Sequence, residues 1–145
     1  MENKLKFLSQ INLLEEMQMD ELKEIDRISN MKPLKKGTTI FTPDTSIQAL
    51  YLLKKGQVRL YRMSENGKQF TVDILGDGNI FGETSTFSLT EDQDYAEAMS
   101  DVYLCIIGKS EFENLIEQNP KLAIKLIEIL SARLRDIYEV SDKLL

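Results

Sequence analysis

A glycine-rich stretch, from Gly76 to Phe87, carries the residue types best suited to holding a ligand. It has three glycines in seven residues, which permit backbone conformations that other residues avoid and let a ligand approach the main chain closely. The step Phe81-Gly82-Glu83 then leads into a hydroxyl-rich segment that begins at Thr84. Backbone amides exposed at such a turn can form a small nest for an anion or a hydroxyl group. The stretch therefore predicts either a ligand site or a set of tight turns with the same composition.

The chain around this stretch is strongly acidic. Between Gln69 and Gly108 there is no Lys or Arg, but there are eight carboxylates, whereas the rest of the chain sums to +2. The run Glu91-Asp92-Gln93-Asp94 has the charge to attract a cation, although it lacks the spacing of a recognised calcium loop. A cation site is therefore kept as an alternative, and no metal ligand is assigned.

The residues needed for most catalytic and cofactor chemistry are missing. The sequence has no histidine, which removes the usual general base, zinc ligand and haem ligand. The single Cys105 lies in an apolar run, which favours a buried structural thiol over a redox sensor, and one cysteine excludes a four-thiolate iron–sulfur cluster within the chain. We therefore expect no enzyme, no metal-dependent barrel enzyme, no haem and no iron–sulfur cluster.

Size and composition indicate one globular domain. The chain has 145 residues, of which 42% are hydrophobic and 29% charged, and this is enough to bury a core. No apolar run approaches the ~18 residues that span a bilayer, and the start does not read as a signal peptide. A cytoplasmic protein without a membrane partner is expected. The net charge of −6 argues against direct binding of this chain to the phosphate backbone of a nucleic acid.

Most of the middle of the chain alternates with a period of two. Asn66-Gly67, between two such runs, is the strongest short signal for a β-hairpin. Short runs bounded by turn residues at spacings near ten indicate a closed β-roll or sandwich. The predicted strands are Thr38–Thr42, Ala49–Leu53, Gln57–Met63, Phe70–Leu75, Ala96–Met99 and Val102–Ile107.

Helical spacing marks the N-terminal region. Apolar residues three apart, Leu5, Leu8 and Ile11, form a first short stripe. Asp20 is predicted to be the N-cap of a second helix, which has one apolar face at Leu22, Ile25 and Ile28. Both segments are interpreted as packing helices that precede the β-roll.

A short helix and then a long helix are predicted at the C-terminal end. Ser110 to Ile116 forms the short helix, which breaks before Pro120 because the residue preceding proline avoids the α region. Pro120 suits the first turn of the long helix. Apolar positions at alternating steps of four and three indicate a coiled-coil seam for a homodimer with one polar interruption. The seam residues are Ala123, Ile127, Leu130, Leu134, Ile137, Ser141 and Leu144.

A second apolar row on the same helix gives it two faces. Leu122, Leu126 and Ile129, with Val140 as a candidate fourth member, would be left over after the seam is paired. A helix with two apolar faces can pack on its own β-roll and on a twin helix at once. The alternative is a helix packed only on its own domain.

Several blocks of sequence, in this order, resemble the effector domain of Crp/Fnr-type bacterial transcription regulators, a cyclic-nucleotide-binding-like domain. The resembling residues, which run through essentially the whole chain, are Lys36–Phe41, Leu50–Tyr61, Asn66–Lys68, Gly78–Glu83 and Asn119-Pro120. The resemblance implies a mainly β fold with flanking helices, a double-stranded β-helix or jelly-roll followed by a long C-terminal dimerisation helix. It divides the chain into N-terminal helices (1–30), a β-roll effector domain (31–109), and a short helix plus the dimerisation helix (110–145).

The resemblance also implies partners. Such regulators are homodimers in which a small-molecule effector, here unidentified, changes how a C-terminal helix-turn-helix domain meets DNA. This sequence ends at Leu145, about where the long helix should end, so the DNA-binding domain is expected to be absent from it. DNA would then be contacted only through that missing domain.

Family members that bind cyclic AMP use a Gly-Glu step for the ribose, and an arginine and a small hydroxyl residue for the cyclic phosphate. Gly82 and Glu83 match the first, with Thr84 after them. The arginine position falls on Asp92 and the hydroxyl position on Gln93. The resemblance therefore implies that the cation of the phosphate site is replaced by a carboxylate.

The base of cyclic AMP meets two hydroxyl residues on the long helix in such relatives, and these positions correspond here to Ile137 and Tyr138.

Two unit charges ~5 Å apart interact by roughly 3 kcal/mol at an effective dielectric of ~20. Replacing an attractive Arg by a repulsive Asp would then cost about 5 kcal/mol, or about three to four decades in affinity. Cyclic AMP is not the expected ligand.

Two functions from different classes follow. The leading interpretation is an effector-sensing and dimerisation domain of a Crp/Fnr-type regulator that does not respond to cyclic AMP. The alternative is a stand-alone dimerisation or interaction module with a vestigial pocket, because glycine turns are also what a β-roll needs structurally.

Overall fold

The structure, a computed structural model, describes residues 12–45, 48–82 and 93–144. Within these ranges it has a short 3₁₀ helix, Asn12–Leu14, three α-helices and eight β-strands. The helices are α1 (Met19–Ile28), α2 (Lys109–Gln118) and α3 (Pro120–Leu144). The strands are β1 (Ser29–Leu34), β2 (Thr39–Phe41), β3 (Ala49–Lys55), β4 (Val58–Met63), β5 (Gln69–Leu75), β6 (Ile80–Gly82), β7 (Tyr95–Ala98) and β8 (Val102–Gly108).

Helix α1 begins earlier than the sequence predicts. Its N-cap is Gln18, whose backbone N–H donates to Glu21 Oε1 at 2.9 Å. The prediction that Asp20 is the N-cap is therefore wrong. Asp20 lies in the first turn instead, where its negative charge suits the positive end of the helix dipole. The predicted stripe of Leu5, Leu8 and Ile11 lies outside the described residues.

The described strands form two antiparallel sheets, in the orders β1-β8-β3-β6 and β2-β7-β4-β5. The hairpin predicted at Asn66-Gly67 joins β4 to β5, with Met63 opposite Gln69 and Gly67 at a φ of +81°. The predicted fold, a jelly-roll with flanking helices and a long C-terminal helix, is confirmed.

Two strands were not predicted, and each has a local reason. Strand β1 contains Pro33 and lacks a clear alternation, which is compatible with its position at the edge of its sheet. It begins at Ser29, just before the predicted start of the β-roll at residue 31. Strand β6 has only three residues and lies inside the glycine-rich stretch, where the pattern could be interpreted only as turns.

The sheet β1-β8-β3-β6 is covered on both faces, and this explains the nearly continuous apolar run of β3. Leu50 and Leu52 face a cluster that includes the helices, whereas Tyr51 and Leu53 face the core between the two sheets. Successive side chains of a strand point to opposite faces, so a strand between two cores has no polar positions in its middle. The helices are thereby fixed against the sheet that carries β6.

The break between α2 and α3 lies where the sequence predicts it. Asn119 ends α2, and its side-chain amide donates to the carbonyl of Leu115 at 3.0 Å. Pro120 then opens α3, where the missing N–H costs nothing because the first helical donors have no partner within the helix. Helix α3 runs back across the β-roll past β5 and β6.

Candidate functional site

Gly82 ends strand β6, in the centre of the glycine-rich stretch. Its φ is +105°, and a Cβ at this position would lie 2.2 Å from the carbonyl oxygen of Ala49 on the neighbouring strand β3. Such a contact cannot be made, so glycine is required here by the packing of β6 on β3. The glycine at the centre of the predicted ligand site therefore has a structural reason of its own.

Of the remaining predicted ligand residues, only Gln93 and Tyr138 have side chains that the structure describes. Glu83, Thr84 and Asp92 lie outside the described residues and stay predictions. Gln93 is exposed. On α3, Tyr138 is 63% exposed, and the side chain of Ile137 is outside the described part.

A partly buried ion pair lies beside Gln93 and was not predicted. Arg62 Nε donates to Asp94 Oδ1 at 2.9 Å, and the side chains are 31% and 3% exposed. The register that places Tyr61 opposite Tyr95 brings strand β4 alongside this part of the chain. Strand β4 thus brings the cation of Arg62 to the acidic segment, and the carboxylate of Asp94 already neutralises that cation.

No local pattern in the sequence signals this pair. Arg62 precedes Gln69 and so lies outside the acidic stretch from Gln69 to Gly108, which has no Lys or Arg. The Asn66-Gly67 hairpin fixes β4 against β5, but the pairing of β4 with β7 depends on how the roll closes. That long-range register is what brings Arg62 to Asp94.

The interior behind Gly82 is aromatic and buried. The rings of Tyr51 and Phe81 stack with centroids 4.9 Å apart, and Phe41 lies 6.1 Å from Phe81. Burial raises the pKa of the Tyr51 hydroxyl, because the charged phenolate is disfavoured away from water. This part of the roll favours neutral groups.

A second cation ties α3 to the strand that ends in Gly82. Arg133 Nη2 donates to the carbonyl oxygen of Ile80 at 2.6 Å. Burial lowers the pKa of the Arg133 guanidinium and the nearby charge of Asp73 opposes this shift, but an arginine remains protonated. The contact lies in a groove of about 320 Å³ between α3 and the β5–β6 region.

Helix α3 presents two distinct apolar rows, as the spacing predicts. Leu122 and Leu126 are buried, and Ile129 packs against the same core cluster. The other row is exposed and consists of Ile124 (58%), Ile127 (62%), Leu134 (51%) and Tyr138 (63%). We call these four residues the outer stripe.

The outer stripe overlaps the predicted dimer seam without matching it at every position. Ile127 and Leu134 belong to both, and Ala123 is half-buried beside them. Leu130 is partly buried and packs against the protomer's own core. Ile124 and Tyr138 join the exposed row, whereas the side chains of Ser141 and Leu144 lie outside the described part.

Two features are not found among the described residues. No group of three or more Asp, Glu or Cys side chains among them converges to hold a metal ion. None of the described helices combines the length and the apolar character needed to cross a membrane.

Comparisons with known proteins give one consistent result. Residues 31–119 match the family model described as the cyclic nucleotide-binding domain. The chain is 36% identical over 100 residues to the cyclic AMP receptor protein of Thermus thermophilus, which covers 69% of this chain and 46% of that protein. It is 31% identical over 106 residues to the global nitrogen regulator of Synechococcus elongatus, covering 72% of this chain and 48% of the relative.

Solved structures agree with the sequence relatives. The catabolite activator protein of Thermus thermophilus superimposes with a TM-score of 0.75 and 30% identity, over 92% of this chain and 62% of that one. The sensor domain of the transcriptional regulator DNR from Pseudomonas aeruginosa gives a TM-score of 0.76 at 25% identity, over 96% and 95% of the two chains. The chain spans about half the length of the curated relatives it matches.

Proposed function

The chain belongs to the cyclic nucleotide-binding domain family, and on this premise we propose that it is the effector-sensing and dimerisation domain of a Crp/Fnr-type transcription regulator that does not respond to cyclic AMP. The observation that carries the proposal is the outer stripe of α3. It lies on the helix that packs through its other row on the β-roll. As part of a bacterial regulator, the chain would work in the cytoplasm and without catalysis.

The outer stripe supports a homodimer. Four large apolar side chains are at least half exposed on one side of a single helix, and such concentrated exposure marks interaction surfaces. Their spacing of three, seven and four residues follows a heptad pattern, which two parallel helices can bury against each other. Ile127 and Leu134 lie in the middle of this surface.

The charges around Asp94 argue against a cyclic phosphodiester. Arg62 is engaged with Asp94, which is almost fully buried. Drawing Arg62 toward a ligand phosphate would leave that carboxylate buried without its partner, which is costly. In the resemblance, Asp92 also takes the position of the phosphate-binding arginine. An effector with less negative charge suits this environment better.

Sedimentation analysis tests the dimer. We expect the wild-type chain to be dimeric and the double variant Ile127→Glu, Leu134→Glu to be monomeric, because charges would have to be buried between the helices. Leu130 is left unchanged since it also packs in the protomer's core. The control, Glu128→Lys with Glu139→Lys, reverses two charges on the exposed polar side of α3. A variant that stays dimeric would refute the assignment of the outer stripe.

Calorimetric titration with cyclic AMP tests the ligand. We expect no binding up to high micromolar concentration because the cation needed for the phosphate is absent or already paired. The control is the same titration with a relative that binds cyclic AMP. Micromolar affinity for the chain would contradict the electrostatic argument and leave the dimer proposal unaffected.

One observation favours the second candidate function, a stand-alone dimerisation module with a vestigial pocket. Gly82 is required by the close approach of Ala49, so the glycine pattern would persist after a ligand site had been lost. The coding sequence that follows Leu145 separates the two candidates. A helix-turn-helix there supports the regulator, and a stop codon supports the stand-alone module.

A further inference from the structure

Arg133 lies in the groove between α3 and the β5–β6 region with most of its hydrogen-bonding capacity unused. Its Nη2 donates to the carbonyl oxygen of Ile80 at 2.6 Å, whereas a guanidinium has five N–H donors. Among the described residues, no carboxylate forms an ion pair with Arg133. Charges that are removed from water are normally paired. The guanidinium is therefore suited to an anion that the described part of the chain does not supply.

The pKa of Arg133 agrees with this geometry. Burial lowers the pKa of the guanidinium, and the charge of Asp73 opposes that shift without being in contact. Burial is the larger of the two effects, so the protein compensates this cation only in part. A carboxylate held by two parallel N–H···O bonds would compensate it most effectively.

Two carboxylates lie at the rim of the same groove. Asp73 of β5 and Asp136 of α3 both line it and are exposed, whereas Arg133 is half-buried. Asp73 Oδ1 accepts the N–H of Ile74 at 2.8 Å, which leaves its second oxygen for another donor. Within the described ranges neither aspartate is part of an ion pair. The groove thus combines one sheltered positive group with two exposed negative groups.

Apolar side chains form the wall between these charges. Ile74 comes from β5, and Ile129 and Ala132 come from α3. Ile129, Arg133 and Asp136 follow each other at steps of four and three, so they share one face of the helix. The groove has a volume of about 320 Å³, which is at the lower end of the range for small-molecule sites.

We propose that this groove binds a small α-amino acid with an apolar side chain. The carboxylate of the ligand pairs with Arg133, its ammonium group lies between Asp73 and Asp136, and its side chain packs against Ile74 and Ile129. A zwitterion satisfies both signs of charge. A simple anion would face two carboxylates, and a simple amine would leave the guanidinium unpaired. The inference rests on the proposed function only in calling this ligand the effector.

Calorimetric titration of the 145-residue chain tests the ligand class, with L-leucine, L-valine and L-methionine as probes. Two analogues of leucine each lack one charged group: isocaproate has no ammonium, and isopentylamine has no carboxylate. We expect L-leucine to bind with a dissociation constant of about 100 µM, which a ligand of this size can reach. Each analogue should bind at least ~10-fold more weakly, because it loses charge-assisted hydrogen bonds.

Two results of this titration would overturn the proposal. One is that none of the three amino acids binds up to ~10 mM, a concentration at which even a weak ligand of this size is detected. The other is that either analogue binds as tightly as L-leucine, because the charged group that it lacks would then have no partner in the groove.

Two matched pairs of variants place the ligand in the groove. Arg133→Gln and Asp136→Asn each remove one charge from it, and the controls Arg135→Gln and Glu139→Gln remove the same charges from exposed positions of α3 outside it. Arg133→Gln should weaken the binding of L-leucine at least ~10-fold. Asp136→Asn should weaken it about 3- to 5-fold, since the ammonium lies at the exposed rim. The controls should bind like the wild type.

Urea unfolding checks that each variant is folded. Asp136→Asn leaves the bond from Arg133 to Ile80 intact, so it decides the result even if Arg133→Gln weakens the fold. Equal affinities in each test variant and its control would show that the ligand binds elsewhere, and the assignment to the groove would be wrong.

The variant Ile127→Glu, Leu134→Glu separates this proposal from the dimer. The groove is formed within one protomer, and neither substituted residue lines it. This variant should therefore bind L-leucine like the wild type, and a loss of binding would overturn the proposal. A wild-type chain that binds L-leucine but sediments as a monomer would refute the dimer and support the groove.

Discussion

Two glycines with similar backbone angles, Gly37 and Gly82, have very different surroundings. Their φ values are +88° and +105°, both in the region that side chains rarely adopt. A Cβ on Gly37 would meet nothing within 4 Å, whereas one on Gly82 would meet the Ala49 carbonyl oxygen at 2.2 Å. The pair therefore separates the cost of the backbone angle from the cost of the packing.

Alanine substitutions measure that difference. Gly37→Ala should lower the free energy of unfolding by about 1 kcal/mol, the cost of the backbone angle alone. Gly82→Ala should cost at least about 2 kcal/mol more, because β6 must move away from β3. Urea denaturation of both variants gives the comparison. Equal losses would mean that β6 can shift without penalty.

The buried hydroxyl of Tyr51 predicts a loss of stability at alkaline pH. Its pKa is raised in the folded state by burial, so the unfolded chain ionises first as pH rises. The folded state then binds more protons than the unfolded state, and stability must fall as pH rises above about 10.

Urea unfolding at a series of pH values from neutral to alkaline checks this sign. Tyr51→Phe should make the fall above about pH 10 shallower, because the ionising group has been removed. Phe70→Leu, at an exposed position that carries no ionisable group, is the control and should keep the wild-type slope. An unchanged slope in Tyr51→Phe would assign the alkaline loss to other groups.

At the scale of the element, α3 has one buried and one exposed apolar row on the same helix. Leu126 and Ile127 are neighbours in sequence, yet one is 5% exposed in the core and the other is 62% exposed in the outer stripe. Consecutive residues on a helix are 100° apart, so adjacent positions reach different surfaces. Substitution of each tests one surface at a time.

Leu126→Ala should lower the free energy of unfolding of the protomer by about 3 kcal/mol, through lost burial and a cavity. Ile127→Ala should leave the protomer's stability nearly unchanged and weaken the dimer. Denaturation in a Leu134→Glu background, at a concentration where sedimentation shows a monomer, measures the first effect with Leu126→Ala or Ile127→Ala added. Sedimentation in the dimeric background measures the second. If Ile127→Ala destabilised the monomer as much as Leu126→Ala, the two rows would not be separate.

At the scale of the whole molecule, the β-roll and α3 form one connected unit. Arg133 donates to Ile80 on β6, and the inner row of α3 shares its core cluster with β3 and β8. A partner bound along the outer stripe therefore stabilises the β-roll as well as the helix, because a protomer that unfolds must leave the dimer.

This connection predicts that the melting temperature depends on protein concentration. Each tenfold rise in concentration should raise the midpoint by about 3 °C for a chain of this size. The variant Ile127→Glu, Leu134→Glu should melt at a temperature independent of concentration. Differential scanning calorimetry over two decades of concentration measures both, and a constant midpoint for the wild type would contradict coupling between dimer and fold.

Local patterns in the sequence determined the elements. The alternation from Thr38 onward and the Asn66-Gly67 turn identified most of the strands, and the two apolar rows identified the dual character of α3. Strands β1 and β6 were not predicted, because a proline-containing edge strand and a three-residue strand show almost no alternation of apolar and polar residues. The N-cap of α1 was assigned wrongly because Gln18 and Asp20 are only two residues apart and either could begin the helix. The hydrogen bond from the Gln18 N–H to Glu21 shows that the helix begins after Gln18.

Only the tertiary structure decided which charged groups meet. Arg62 reaches Asp94 across 32 positions, and Arg133 reaches the carbonyl oxygen of Ile80 across 53. These contacts follow from strand order and register, which the packing of the whole core sets. Hydrophobic periodicity reports which face of an element is buried, but it holds no information on which element lies opposite.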